Sequence, residues 1–420
     1  MNGGLSMVEM KSGYKMTEVG VIPEDWEVKT LGKLACINGR IGFRGYTVKD
    51  LVRKGEGAIA IGGKHISKNF LDLSDAEYIS WKKYYESPEI MVKQGDIVLA
   101  QRGTLGKSAL IKSDIGPATI NPSLVLINKI KCNNLYLIYN IQSSSVTDYI
   151  LQINSQTSIP MISQKQIEGI KIAIAKLDSE QTAIATALSD VDSLISALTK
   201  KIEKKKAIKQ GLMQQLLTGK KRLPGFGGVW DVVQLKRIIS EFIVPMRDKP
   251  TALTGPIPWC RIEDFDGKYL KKSLSNQGVD LNTVSKMNLK IFPVNTLLVS
   301  CSANLGRCAI VKQKLVTNQT FIGLVPSDRI DVEFLYYKMS REDKNLNNMA
   351  TGTTISYLSR EQFENYEILI PSSKAEQTAI ANILSDCDSE VAALEEKRDK
   401  YKEIKQGMMQ QLLTGKIRLI

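Results

Sequence analysis

One histidine, His65, stands in a chain of 420 residues, and this scarcity removes more chemistry than any other feature of the composition. A lone imidazole cannot assemble a histidine-based metal centre, and no partner set for a catalytic triad surrounds it in sequence. Six cysteines (Cys36, Cys132, Cys260, Cys301, Cys308 and Cys387) are scattered, and none forms a C-x-x-C pair. Neither a zinc site nor a disulfide framework is predicted. There is no apolar run of 18 residues, and the opening MNGGLSMVEMKSGYKMTEVG is too polar and too acidic for a signal peptide. The expectation is a soluble, cytoplasmic protein with no membrane partner.

Nucleotide chemistry is also poorly provided for. Arg102-Gly103-Thr104-Leu105-Gly106-Lys107-Ser108 contains G-K-S, but a phosphate loop needs glycine where Gln101 stands. Asn121-Pro122-Ser123-Leu124 is close to the N-P-P-[YF] clamp that holds a flipped adenine, yet it lacks the stacking aromatic, and Asn318-Gln319-Thr320-Phe321 occupies the corresponding place further on. Both asparagines read as turn residues. No carboxylate pair stands out as an acid and base, so no catalytic residue is assigned.

What the chain has in excess is positive charge and self-similarity. A net charge of +13 favours a polyanionic partner. Lys209 to Lys220 reads KQGLMQQLLTGK and Lys405 to Lys416 reads KQGMMQQLLTGK, an offset of 196 residues. Extended backwards without a gap, the match includes Glu-Gln-Thr-Ala-Ile-Ala at 180–185 and 376–381, and 28 of the 41 positions from 180 to 220 are identical. A period this long is a domain duplication and predicts an internal pseudo-two-fold.

The repeated segments read as long helices. Ile184, Leu188, Val191, Ile195, Leu198 and Ile202 recur at alternating spacings of four and three, and Ile380, Leu384, Cys387, Val391, Leu394 and Tyr401 keep the same phase. That is a coiled-coil seam, with each copy available as the other's partner. About 40 residues at ~1.5 Å rise predict rods of roughly 60 Å. Ser373 and Glu376 have capping-box spacing, and Gly219 and Gly415 sit where a left-handed C-cap belongs. Gly211 and Gly407 cost about 1 kcal/mol each inside a helix, so their repetition points to close approach of another chain. With Gln214, Gln215, Leu216 and Leu217, and with Gln410, Gln411, Leu412 and Leu413, they form two candidate docking surfaces.

Two divergent segments of mixed strands and short helices precede the helices, opening at Trp26 and Trp230. Gly95-Asp96-Ile97-Val98-Leu99-Ala100 and Asn295-Thr296-Leu297-Leu298-Val299-Ser300 each read as a buried strand running into a polar turn and a second strand. The turns carry candidate DNA contacts: Arg102, Lys107 and Arg307 for phosphates or guanine, and Asn304 for adenine. Lys64, His65 and Lys68 follow Gly62-Gly63, Arg261 and Lys268 bracket the matching segment, and Arg40 and Arg44 lie among Gly39, Gly42 and Gly45. All seven are candidates for contact with the DNA backbone.

Two variable modules alternating with two near-identical helices, the Ile22-Pro23-Glu24-Asp25-Trp26 and Leu223-Pro224-Gly225-Phe226 entries, the Glu-Gln-Thr-Ala-Ile-Ala starts and the Gln-Gln-Leu-Leu-Thr-Gly-Lys ends together resemble the specificity subunit of type I restriction-modification enzymes. The resemblance spans essentially the whole chain. It implies an α+β fold with two target recognition domains separated by two long antiparallel helices forming a coiled coil. In this reading 1–25 is a tail, 26–176 the first recognition domain, 177–219 the first spacer helix, 220–371 the second recognition domain with a short linker, and 372–420 the second spacer helix. The expected function is recognition of a bipartite, asymmetric target in double-stranded DNA. Two methyltransferase (modification) subunits and the restriction subunits (endonuclease and translocase) are the implied partners. S-adenosylmethionine, Mg and ATP are expected in those partners, with no cofactor or metal in this non-enzymatic chain. The competing readings are a structural coiled-coil protein whose modules bind proteins, and a self-contained DNA methyltransferase or nuclease. The latter would need the cofactor loop and base clamp that are missing.

Overall fold

Four helices carry the frame: α1 (Asn134–Ile141), α2 (Asp178–Leu216), α3 (Val332–Met339) and α4 (Lys374–Leu412). The structure is a computed structural model that describes residues 12–67, 70–154, 160–246, 249–302, 304–350 and 357–420. Packing divides the chain into two units that cut across its linear order. Unit 1 is residues 1–198 with 397–420, and unit 2 is residues 199–396. Each unit therefore contains one head, the first half of the helix that follows the head, and the second half of the other long helix.

In unit 1, strand Glu27–Thr30 pairs antiparallel with Lys171–Ile174. One four-stranded sheet has the order 108–110, 97–100, 124–128, 36–39, and another the order 118–120, 57–61, 77–80, 51–52. Strand Ile97–Ala100 is buried on both faces. Ile97 and Leu99 enter the core shared with α1 and α2, while Val98 and Ala100 enter a second core between the sheets. A period of two sorting side chains into two cores explains why this strand is apolar throughout.

Unit 2 repeats the plan. Trp230–Gln234 pairs antiparallel with Glu367–Pro371. A five-stranded sheet runs 239–243, 321–326, 297–300, 308–311, 269–270, beside a three-stranded one ordered 278–279, 257–260, 316–317. Leu297 and Val299 face one core and Leu298 another, as in the first head. The polar turns before these strands hold Gly95 at φ +90° and Asn295 at φ +66°, so one turn geometry is met by the two residue types that tolerate it.

The Glu-Gln-Thr-Ala-Ile-Ala hexamer joins head to helix, residue by residue. Asn133 donates its backbone N–H to Gln181 Oε1 at 3.0 Å, and Gln181 Nε2 donates to Ala175 O at 2.8 Å. In unit 2, Asp331 N–H donates to Gln377 Oε1 at 2.8 Å and Gln377 Nε2 to Pro371 O at 2.9 Å. Thr182 and Thr378 bond to Asn133 and Asp331. Ile184 and Leu188, like Ile380 and Leu384, lie in the head cores. The helical seam therefore divides: its first members serve the heads. Val191, Ile195, Cys387, Leu394 and Tyr401 are half-buried, and Leu198, Ile202 and Val391 are buried.

Antiparallel pairing of helix halves is seen within each unit. Asp192 of α2 pairs with Lys405 of α4 at 2.7 Å in unit 1, and in unit 2 Lys209 pairs with Asp388 and Lys205 with Glu390 at 2.7 Å. The helices end as their sequence predicts: Gly219 and Gly415 adopt φ +69° and +67°. A Cβ on Gly415 would lie 2.5 Å from Pro23 and one on Gly219 3.1 Å from Trp230. Gly415→Ala combines a left-handed residue with a clash against a rigid ring and should destabilise unit 1 by about 2–4 kcal/mol, Gly219→Ala somewhat less. Urea denaturation checks the order of the two; equal stability of Gly415→Ala and wild type would overturn it. The capping box at Ser373 is half formed: Ser373 Oγ accepts from Glu376 N–H at 3.4 Å, but the Glu376 carboxylate goes to Arg222.

Candidate nucleic-acid interface

The turn between strands 97–100 and 108–110 is held from below. Gln101 is buried and donates its Nε2 to Pro122 O and Leu124 O, while Gly106 closes the loop in a left-handed conformation. Arg102, Thr104 and Lys107 are left exposed. Asn121 Oδ1 accepts from both the N–H and the hydroxyl of Ser123, at 3.0 and 2.6 Å, so this asparagine shapes its own turn. Thr320 Oγ1 donates to Asn318 Oδ1 at 2.6 Å in the second head. A cleft of about 360 Å³ brings together Gly62, Lys64, His65, Arg102, Thr104 and Asn121. Three segments distant in sequence, 62–65, 102–104 and 121, thus line one cleft of the first head, Lys64 and Arg102 among them.

The candidates differ in their freedom to meet a ligand. Arg40 is turned inward: Nε donates to Ile120 O at 3.0 Å, Nη2 to Thr119 Oγ1 at 2.9 Å and Nη1 to Arg44 O at 3.2 Å. Its guanidinium fastens the 42–44 turn to the sheet, and burial lowers its pKa. Arg44 lies 3.6 Å from Glu89. His65 is 1% exposed, and its Nδ1 accepts the Gly62 N–H at 2.9 Å. Asp264 takes the same place in the second head, accepting from Arg261 N–H at 2.7 Å. The matched segments are therefore matched turns, and His65 is a brace inside one of them instead of a surface contact. Lys268 is likewise internal, held by Glu333 at 2.7 Å, Ser385 Oγ at 2.7 Å and Tyr337 at 3.1 Å. Lys64 is half exposed beside Glu77 and Arg261 is beside Glu263. Asn304 and Arg307 are exposed, with Arg307 Nη2 donating to Phe265 O at 3.3 Å. Lys68 lies outside the described residues.

Two features carry no motif and escape sequence reading. Helix Trp81–Tyr85 displays an aromatic cluster, Trp81 stacked on Tyr85 and Tyr84 edge-on to both, with Lys82 and Lys83 interleaved. Its counterpart in the second head, Leu281–Lys286, has Leu281 exposed in that position and no aromatic. The other is a brace repeated in both units. Arg418 forks onto Glu180 (2.5 and 2.9 Å) beneath Trp26, and Arg222 forks onto Glu376 (2.7 and 2.8 Å) beneath Trp230. The 196-residue offset between the two arginines was the available signal.

The helix ends divide in the same way. Leu216, Leu217, Leu412 and Leu413 are buried in the unit cores, whereas Gly211, Gln214, Gln215, Gly407, Gln410 and Gln411 are exposed. A Cβ on Gly211 or Gly407 would meet nothing within 4 Å. Among the described residues no cluster of His, Cys, Asp and Glu suits a metal, and no helix is long and apolar enough to cross a membrane. Burial pushes the Cys260 and Cys301 thiols up to about 12.

The profile of the family described as "Type I restriction modification DNA specificity domain" matches residues 23–210 and 230–406. The type I restriction enzyme MjaVIII specificity subunit of Methanocaldococcus jannaschii is 25% identical over 434 residues, covering 95% of this chain and 94% of the relative. The chain assigned as the MjaX specificity subunit of the same organism is 26% identical over 431 residues, 97% of each. The S subunit of a type I restriction-modification system from M. genitalium superposes with a TM-score of 0.59 at 15% identity, over 92% of this chain and 96% of that one, a likeness of fold.

Proposed function

Because the chain belongs to the type I restriction-modification DNA specificity family, we propose that its two heads each read one half of a bipartite, asymmetric duplex target for a restriction-modification complex. The observation that carries the reading is the contrast between frame and heads. The two units share their strand plan, their helix joints and their arginine braces, while the exposed loops differ: Arg102-Gly103-Thr104 and the Trp81 cluster in one, Asn304 and Arg307 in the other. A repeated frame bearing unlike loops suits two unlike half-sites. The boundaries 26–176 and 220–371 serve as those of the recognition domains, with the helices between them setting the unspecified spacer.

The exposed Gly and Gln residues that recur on both helix ends are the docking surfaces for two modification subunits, through which restriction subunits join. The chain itself is non-catalytic in this account, and S-adenosylmethionine, Mg and ATP act in the partners. Coexpressing the chain with its candidate modification subunit should add a split methylation motif to the host genome that the modification subunit alone does not produce. Genome-wide methylation sequencing reads both half-sites and the spacer at once. A soluble complex of the two that yields no new motif would overturn the proposal.

A further inference from the structure

The repeated frame differs between the two units where a head helix meets the end of a long helix. Helices α1 and α3 correspond at an offset of 198: Tyr139 and Tyr337 donate their hydroxyls to Asp192 and Asp388 at 2.8 and 2.6 Å, and Lys405 and Lys209 lie over their rings. The following residues are therefore paired as Asn140 with Lys338 and Ser143 with Arg341. In unit 2, Lys338 Nζ donates to Leu217 O at 3.2 Å and Arg341 Nη1 donates to Met213 O at 2.7 Å, so two cations seat on carbonyls at the end of α2. A helix C-terminus favours positive charge, and since the Met213 carbonyl also accepts the Leu217 N–H at 3.1 Å, Arg341 takes its second lone pair. In unit 1 the corresponding residues of α4 and its end are Met409 and Leu413. The short Asn140 and Ser143 do not reach them: Asn140 Nδ2 donates to Tyr136 O and Ser143 Oγ pairs with Ser145 Oγ.

What remains is a cavity of about 470 Å³, lined by Asn140, Ser143, Asp148, Met409, Gln410 and Leu413 among others. We propose that this cavity receives a guanidinium or ammonium group of a partner polypeptide, which takes the seat that Arg341 and Lys338 occupy internally in unit 2. Lysines at its wall do not forbid a cation. Four lysines line it: Lys171 pairs with Glu18, Lys402 with Asp399 and Lys405 with Asp192, while Lys416 is exposed, and Lys402, Lys405 and Lys416 correspond to Lys206, Lys209 and Lys220, which coexist with Arg341 and Lys338. Asp148 contributes a carboxylate that unit 2 does not need. The partner is a polypeptide because the cavity opens beside Gln406 and Gln410 on the repeated helix surface; to that extent the inference rests on the docking reading above. Its consequence is that the two docking surfaces are unequal: a basic side chain enters at unit 1 and finds its seat already taken at unit 2.

The full-length chain alone decides the matter, with arginine amide as probe in an NMR and calorimetric titration. Wild type should bind one equivalent, and Asn140→Lys with Ser143→Arg, which copies unit 2, should bind none while keeping its thermal transition. Lys338→Asn with Arg341→Ser should open a second site; should that variant fail to fold, the first comparison still decides. No saturable binding to wild type, or one equivalent bound equally by the filled variant, overturns the inference. Since no modification subunit is present, that failure leaves the docking reading intact, whereas failure of the two subunits to associate while arginine amide still binds would strike the docking reading alone.

Discussion

Arg418→Ala should lower the unfolding free energy by about 3–5 kcal/mol, and Arg222→Ala should do the same through unit 2, because each removes the one cation among the described residues that pairs with a buried carboxylate. Glu180 and Glu376 have 0% and 1% side-chain exposure, and among the described residues each keeps, apart from the arginine, an indole N–H, from Trp26 at 3.2 Å and Trp230 at 3.4 Å. A stranded buried charge is the costly product of such a deletion. Glu180→Gln in the Arg418→Ala background removes the charge and should restore part of the loss, a coupling that a double-mutant cycle reads directly. Lysine is a poor substitute, since the fork reaches both Glu180 and Asp25 and a point ammonium cannot.

The brace also has a pH signature. The hydrogen bond from Arg418, acting first, holds the Asp25 carboxyl below its ordinary value. A carboxylate with a depressed folded pKa contributes stability above its unfolded pKa and loses it as pH falls through the folded one. Acid should therefore weaken unit 1 below about pH 4, and Arg418→Ala should flatten that part of the profile. Urea denaturation from pH 7 to pH 3 measures both effects. A loss under 1 kcal/mol at neutral pH would show that the fork is ornamental.

The duplication, the presence of two long helices and the C-cap glycines were legible because repetition, a 3.5-residue rhythm and a glycine at C′ are all written in the sequence itself, although the second helix stops at Leu412 and does not run to the chain's last residues. The unlike roles of like residues were not. Arg40 and Arg102 both sit among glycines, yet one reaches back to Thr119 and Ile120 and the other faces outward. That choice depends on a strand about 80 residues away. Lys268 lies in a basic stretch but is held by Glu333 and Ser385, partners that no spacing announces. Identity at the helix starts was informative in a different way. It reflects joints between helix and head, where Gln181 and Gln377 saturate backbone groups that would otherwise be buried without partners.

If the heads read DNA, binding should collapse with salt, by about 10³ to 10⁵ between 50 and 200 mM for a protein neutralising six to ten phosphates. The single-residue form of this prediction separates surface cations from internal ones. Arg102→Ala and Arg307→Ala should each either reduce the slope of log K against log salt by about one, as a phosphate contact does, or cost about 1–3 kcal/mol at one base of one half-site. The half-site affected should differ between the two variants, since the residues belong to different heads. Arg40→Ala and Lys268→Ala should instead lower stability and leave the slope unchanged, because their charges are spent on Ile120, Thr119, Glu333 and Ser385. Fluorescence anisotropy of the assembled complex on a duplex carrying the motif found by methylation sequencing distinguishes these outcomes. A slope near zero would exclude phosphate-dominated binding. A slope reduced by about one for Lys268→Ala, with stability unchanged, would mean that the lysine leaves Glu333 to meet DNA and that the head opens on binding.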